Sequence, residues 1–380
     1  MIDWKTVRND FPVTRDCVYL MSAAMSPIPS PVFKRVAREY RTINEAGDIF
    51  WEEDVHTYRR LTERLAAMIG AGASDVTFVA NTSTAMSLLA LSLKGGRPGR
   101  FNVVSMADEF PATTVPFEYQ GIEMRYARPA DGRYQIDSIM NLMDSETLAI
   151  VTSYVQYGTG FRQDLKALGA ELRKKDVLFI VNATQGFPVF PLDVEAMNID
   201  AFSASLHKWG FAGHVGALFF TSQKFRRRFR SPLAGWLSVE PKKGEFIHTA
   251  KNEPFALHKS ADRYMFGTIN FQAINTIHAA LDYLEAIGAA NIAERIHGLN
   301  DRLIAGLEKL DARIVTPVER REERSGILSF NVGVRTAELA TYLTKRKIFT
   351  SFRNGNIRCA VNIFNDESDV DRLLSAIGEF

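Results

Sequence analysis

Apolar runs that end in small polar residues recur along this chain, and they confine it to an open α/β sheet. Asp75 to Leu93, DVTFVANTSTAMSLLALSL, reads as strand, hydroxyl-rich turn and helix. Leu148 to Gly160, LAIVTSYVQYGTG, is an apolar run followed by Ser153, Gln156, Thr159 and Gly160. Val177 to Gly186, VLFIVNATQG, is a buried-type strand closing on Asn182, Thr184 and Gln185. Ala201 to Phe220, AFSASLHKWGFAGHVGALFF, sets two strand-like runs around a loop holding Ser205, His207 and Lys208. Open α/β sheets bind ligands beyond the carboxyl ends of their strands, which is where these polar groups fall. A lysine in such a loop can form an imine with an aldehyde. On this stretch alone Lys208 reads equally as a surface lysine in a turn.

The length, 380 residues, suits two domains or one large and one small. The net charge of +2 comes from interspersed signs and points to no nucleic-acid partner. Gln223 to Arg230, QKFRRRFR, is locally basic and reads as a solvated helix face rather than a nucleic-acid site. Two cysteines, Cys17 and Cys359, make no disulfide framework and fit a reducing compartment. No secretion signal or membrane span is evident, so a cytoplasmic enzyme without a membrane partner is expected.

In order, the pattern predicts a short arm to Cys17 and a loop over Val18–Pro29. Helix follows over Ser30–Ile69, interrupted at Asn44–Phe50. Strands are expected at Asp75–Ala80, Asn102–Ser105, Ile122–Tyr126, Leu148–Tyr154, Val177–Val181, Asp200–Ser205 and Val215–Phe220, with helices at Ala85–Leu93 and Asp164–Lys174. Ser231–His248 is irregular and expected to cover the site. A helical stripe from Phe271 to Ile304 breaks at Gly288, and mixed strands and helices follow, as in a small α+β domain.

The pieces YLMSAAMSPIP, NTSTAMS, DEFP, the run from Gln156 to Gly160, VNATQG, SLHKWG, FGT and NIRCAVNIFND span nearly the whole chain. In their order and spacing the chain resembles the class V aminotransferase group of fold-type I pyridoxal 5'-phosphate (PLP) enzymes. That group includes cysteine desulfurases, selenocysteine lyases, kynureninase and isopenicillin N epimerase-like proteins. The resemblance implies an N-terminal arm over 1–19 and a large PLP-binding domain over 20–255 with a mostly parallel seven-stranded sheet. It implies a small α+β C-terminal domain over 256–380, packed with the arm. It also implies a homodimer with shared active sites, in which Thr268 of FGT reaches the phosphate of the neighbouring subunit's cofactor.

Roles carry over residue by residue. Lys208 forms the aldimine; Thr82, Ser83, Ser205 and His207 contact the phosphate; Gln156 and Gln185 contact the phenolic oxygen; Ala23 and Ala24 line the substrate mouth. Read without the resemblance, Thr82 or Ser83 is an N-cap, His207 a loop histidine and Phe110 a core residue. With it, Phe110 is the flat ring over the pyridine, where relatives often carry histidine. Arg358 grips the substrate's α-carboxylate unless it serves a structural salt bridge, and Arg353 is a second candidate. Cys359 follows Arg358 within a strand and reads as a small core residue, so no persulfide-forming cysteine remains.

Asn182 departs from the pattern. The family carries aspartate there, paired with the pyridine nitrogen, and a charged ring is the better electron sink. Asparagine predicts weaker transamination, or a reaction needing less delocalisation such as proton transfer in racemisation, which favours the epimerase among the alternatives, or another acid supplying the charge. The leading expectation is an aminotransferase-like enzyme acting on an amino acid. The alternatives are an epimerase of the isopenicillin N type and a C–S or C–Se β-lyase without a catalytic cysteine; a PLP-binding regulatory protein is the rival of another class.

Overall fold

The computed structural model of the chain describes residues 2–47, 49, 51–243, 248 and 253–380. After a short strand, β1 (Val18–Tyr19), and two helices (Ser30–Ala46, Trp51–Met68), the main sheet begins. Its strands are β2 (Val76–Val79), β3 (Asn102–Met106), β4 (Glu123–Ala127), β5 (Thr147–Ser153), β6 (Leu178–Asn182), β7 (Ala201–Ser205) and β8 (Ala217–Thr221). They lie in the order β2-β8-β7-β6-β5-β3-β4. All neighbours run parallel except β8, which is antiparallel to both β2 and β7.

The sheet is buried on both faces, which explains why its strands read as apolar runs without alternation. Alternate residues still serve different cores. Phe179 and Val181 of β6 enter one apolar cluster, while Leu178 and Ile180 enter the other. Helix Thr82–Gly96 packs in the second cluster through Ala85, Met86, Leu89 and Leu93. Helices Phe271–Ile287 and Ala289–Lys309 pack in the first.

A second sheet follows, with strands β9 (Arg313–Ile314), β10 (Ile327–Asn331), β11 (Ile348–Phe349), β12 (Ser351–Arg353) and β13 (Asn356–Ala360). Of these, β12-β13-β10-β9 form an antiparallel sheet, and β11 pairs in parallel with β1. The two sheets meet closely at Gly160, whose φ is +79°, and a Cβ there would lie 2.3 Å from the Ile327 carbonyl oxygen.

Two local readings are corrected. The stretch before β4, left without a helix in the sequence pattern, forms helix Pro111–Tyr119. Pro111 starts it, and Pro116 sits within its later half, so the prolines mask a helix that tertiary packing supports. In QKFRRRFR, Arg227 and Arg228 are solvated as expected, but Arg226 is buried. Its guanidinium pairs with Asp75 and its Nε donates to the Lys259 carbonyl at 3.0 Å. Of the segment expected to cover the site, residues 244–247 lie outside the described residues, as do Asp48 and Phe50 of the helix interruption. No helix among the described residues is long and apolar enough to cross a membrane.

The N-terminal segment is fastened by a buried ion pair. Arg8 spans both oxygens of Asp369, at 2.7 and 3.0 Å, and its Nε lies 3.1 Å from Asp366. Asp369 is 1% exposed. Removing the guanidinium leaves a buried carboxylate short of its main donor, so Arg8→Ala should destabilise the fold by about 3 kcal/mol. Denaturant midpoints of the two proteins measure this, and a change below about 1 kcal/mol would show the clamp to be dispensable.

Candidate active site

Polar ends of β5, β6 and β7 converge because neighbouring strands keep one parallel register. Ser153 pairs with Asn182, and Asn182 with Ser203. Beyond these ends lies a cavity of about 370 Å³. Its wall includes Thr82, Ser83, Asn182, Ser205, Lys208 and Arg358, and among the described residues no aspartate or glutamate lines it.

One wall is a hydroxyl cluster at the start of helix Thr82–Gly96. Asn81 caps the helix, its Oδ1 accepting from the Thr84 N–H at 2.9 Å. The cap role considered for Thr82 and Ser83 is therefore filled by their neighbour. Thr82 is left to share hydrogen bonds with Ser205 Oγ at 2.8 Å and Thr184 Oγ1 at 3.1 Å. The first turn of a helix offers N–H groups without intrahelical partners and a positive dipole end. Hydroxyls and free N–H groups together make an anion seat.

Lys208 enters from the loop after β7. Burial, and then the nearby Arg358 charge, lowers its amine to about 8. Its Nζ stands 5.6 Å from the centre of the Phe110 ring. Phe110 lines the cavity, stays 44% exposed and meets Tyr157 edge-on at 5.3 Å. It is therefore no core residue. His207 lines the cavity with its ring 4.8 Å from that of His214. Burial, then the charges of Lys208 and His214, lowers it to about 4, so it is neutral at pH 7.

Arg358 is 3% exposed, and burial followed by the Arg353 charge lowers it to about 10. One nitrogen donates to the Tyr157 carbonyl at 2.7 Å and another to Ser351 Oγ at 3.4 Å, while Nε has no partner. Among the described residues no carboxylate pairs with it, so the structural salt bridge is absent. Arg353 lines the outer cavity and is exposed. Cys359, next in the strand, is fully buried in the apolar core, and burial pushes its thiol up to about 12.

Two amides are oriented by groups that can only donate. Asn182 Oδ1 accepts the Thr184 N–H at 3.1 Å, which turns its Nδ2 toward Thr113 Oγ1 at 2.9 Å. Gln185 Oε1 accepts from the Trp209 indole at 2.9 Å, and its Nε2 donates to the Ala23 carbonyl at 2.8 Å. Both line the cavity, as do Ala23 and Ala24.

One residue expected at this cavity does not line it, and Thr268, expected to serve a neighbouring subunit's cofactor, lies beside another cavity. Gln156 is buried away from the cavity: its Nε2 donates to the Asp108 carbonyl, and its Oε1 accepts from Gly158 N–H at 2.6 Å. Its amide is consumed in bracing its own turn, and Tyr157 lines the cavity instead. Thr268 lines a neighbouring cavity with Thr84 and His214. Ser153, Thr184 and Tyr157 are wall residues to which sequence reasoning gave no role; their position at strand ends was the available signal.

These residues fit a phosphorylated aldehyde. The hydroxyl cluster suits a phosphate and Lys208 an aldehyde carbon. Phe110 suits an aromatic face, and the unpartnered Nε of Arg358 calls for a further anion.

The model of the family described as aminotransferase class-V matches residues 18–373. An uncharacterized aminotransferase of Bacillus subtilis, YcbU, is 25% identical, covering 97% of this chain and 96% of its own. A probable cysteine desulfurase of Pyrococcus abyssi is 22% identical, covering 98% and 96%. Among solved structures, apo cysteine desulfurase from Thermococcus onnurineus superposes with a TM-score of 0.90 at 21% identity, covering 100% and 98%. The cystine C–S lyase C-DES, in complex with cysteine persulfide, gives 0.86 at 18%, covering 97% and 99%. A mutant of C-DES with glycine covalently linked to its PLP cofactor gives 0.87 at 18%, covering 98% and 99%. The main sheet, the helices on its two faces and the smaller C-terminal sheet are those of a fold-type I PLP enzyme, and this chain belongs to the class-V aminotransferase family.

Proposed function

We propose that this chain holds PLP in the cavity around Lys208 and breaks a carbon–sulfur or carbon–selenium bond at the β-carbon of an amino acid, without using a cysteine of its own. The observation that carries this is the make-up of the wall: a depressed amine, a buried guanidinium without a carboxylate, and no thiol. The likeness to desulfurases and to a C–S lyase supports the lyase alternative over transamination, the leading expectation from sequence.

Bound there, PLP supplies an aldehyde that condenses with an amino group and withdraws electrons from the adjacent carbon. Thr82, Ser83, Ser205 and His207 hold the phosphate, and Lys208 gives the amine that anchors the aldehyde. Gln185 donates its remaining Nε2 hydrogen to the phenolic oxygen. Phe110 covers the ring and excludes water. Arg358 grips the α-carboxylate and fixes the Cα–H bond toward Lys208. Freed by the incoming amino group, Lys208 takes the Cα proton. The Cα–H and Cβ–S bonds break, a Cα=Cβ bond forms, and the electron pair departs on sulfur. Water then converts the enamino acid to a keto acid and ammonia.

Two copies sharing their sites, with Thr268 of each serving its neighbour's phosphate, complete the reading; Thr268 does not line the cavity of its own chain.

Incubation with cystine, selenocystine and S-alkyl cysteines should yield pyruvate and ammonia in equal amounts with, respectively, cysteine persulfide, the selenocysteine perselenide and the free thiol. A keto acid that retains its β-substituent, with the amino group left on the cofactor, would make the enzyme an aminotransferase. Inversion at Cα with no keto acid would make it an epimerase. Cys359→Ala should leave turnover within about twofold, since its thiol lies outside the cavity.

Imine formation needs a neutral amine. Cofactor uptake by the apo-protein should therefore accelerate as pH rises and level off above about 8, where Lys208 has lost its proton. Arg358→Gln removes one cause of the depression and should move that inflection upward. The same variant should lower kcat/KM by about a hundredfold, near 3 kcal/mol, chiefly through KM.

A further inference from the structure

We propose that Glu109 supplies, from behind the cavity wall, the negative charge that Asn182 lacks: acting through the Thr113 hydroxyl, it is a positioning residue that keeps a nitrogen heterocycle docked at Asn182 in its protonated form. The inference rests on PLP being the group bound in the cavity.

Glu109 sits where the sheet changes direction. The chain leaves β3 outward to β4, then returns on the other side of β3 as β5. Such a reversal opens a crevice between the two carboxyl ends. Glu109 follows β3 by three residues and turns into that crevice, 8% exposed. One carboxylate oxygen accepts the Ser153 backbone N–H at 2.6 Å, and the other accepts the Ser153 hydroxyl. Ser153 is the last residue of β5 and the register partner of Asn182 on β6. The acid is thereby held one strand away from the amide.

The hydrogen-bond directions link the two. The Thr184 N–H fixes Asn182 Oδ1, so Nδ2 donates to Thr113 Oγ1. Thr113, having accepted, keeps its own hydroxyl hydrogen to turn toward Glu109, whose carboxyl it pulls downward. The line runs amide to hydroxyl to acid, with the negative end at Glu109. Asn182 Oδ1 keeps a second lone pair, able to accept from a protonated ring nitrogen.

Nothing nearby cancels this charge. From helix Pro111–Tyr119 the carboxylate meets Thr113 and the Phe110 N–H, and from β5 it meets Ser153. Tyr134 is the titratable neighbour from the segment after β4; its hydroxyl donates to Asp108 at 2.9 Å, and burial, Asp108 and Glu109 all push it upward. Among the described residues no cation forms an ion pair with Glu109. Burial raises its carboxyl to about 7 against the pull of these hydrogen bonds. The titrations of Glu109 and a docked heterocycle are therefore coupled near neutrality, a protonated ring favouring the ionised acid and the ionised acid favouring a protonated ring.

The test is the nitrogen-15 signal of ring-labelled PLP bound to the protein, followed from about pH 6 to about pH 9. The wild type should titrate with the ring largely protonated at neutral pH. Glu109→Gln, which keeps the shape and can hold the Ser153 N–H through its oxygen while its amide N–H donates to the Ser153 hydroxyl in reverse, should lower the ring's apparent pKa by roughly one unit. Thr113→Val should shift it in the same direction by less, and adding Asn182→Asp to the Glu109→Gln variant should restore protonation. If Glu109→Gln does not fold, the Thr113→Val comparison decides. A nitrogen titration unchanged in the folded variants overturns the role of Glu109 while leaving the cofactor in place. A wild-type protein that takes up no PLP overturns the proposed function itself.

Discussion

Taking a cation out of water without an anion beside it costs several kcal/mol. This fold does so twice around one cavity, with Lys208 and Arg358. Both answer by losing affinity for their protons, Lys208 to about 8 and Arg358 to about 10. The packing around them keeps the arrangement in place. Arg358 lies in β13 between β12 and β10, with its guanidinium fastened to the Tyr157 carbonyl. Lys208 is flanked by Trp209, whose indole is locked to Gln185. An aldehyde taken up by Lys208 and a carboxylate beside Arg358 relieve these two imbalances, so ligand binding is coupled to the stability of the fold.

The same dependence explains why register matters more here than any single contact. A slip of one residue turns every side chain of a strand to the other face of the sheet. At β6 it would send Asn182 into a core and bring Val181 to the cavity. At β13 it would exchange Arg358 for Cys359. The apolar clusters on the two faces hold these registers, because Phe179 and Val181 on one side and Leu178 and Ile180 on the other fill different volumes. Burial distributed over the whole sheet therefore sets the position of a few polar atoms at its edge.

This division also accounts for what could be read in the chain beforehand. Apolar periodicity is a local signal, so the seven strands, the break at Gly288 and the polar strand ends were all legible. Thr82, Asn182, Ser205 and Lys208 belong to the cavity for the reason the strand pattern suggested. Helix Pro111–Tyr119 was hidden because two prolines weaken its local signature while its buried side, Thr113 and Phe117, finds tertiary support. Gln156 was misplaced because an amide beside a turn is drawn to the turn's own N–H groups, which sequence spacing does not reveal. Arg226 looked solvated until β2, β8 and the segment before Ala261 closed around it. Glu109 was unreadable for a related reason. Its meaning depends on the end of β5 lying beside it, forty-four residues further along the chain.

Strand alternation in β13 decides where its thiol lies. Adjacent residues face opposite sides, so the strand that presents Arg358 to the cavity must present Cys359 to the core. There the thiol is fully buried and held near pKa 12, which makes thiolate formation unfavourable at neutral pH. Cys17, also buried, does not line the cavity. No protein sulfur is then available to receive sulfur from a substrate. A reaction that cleaves a carbon–sulfur bond here must release the sulfur on the fragment that carries it. That selects substrates whose sulfur already leaves well, such as a disulfide, whose departing half is a stable persulfide, over a simple thiol.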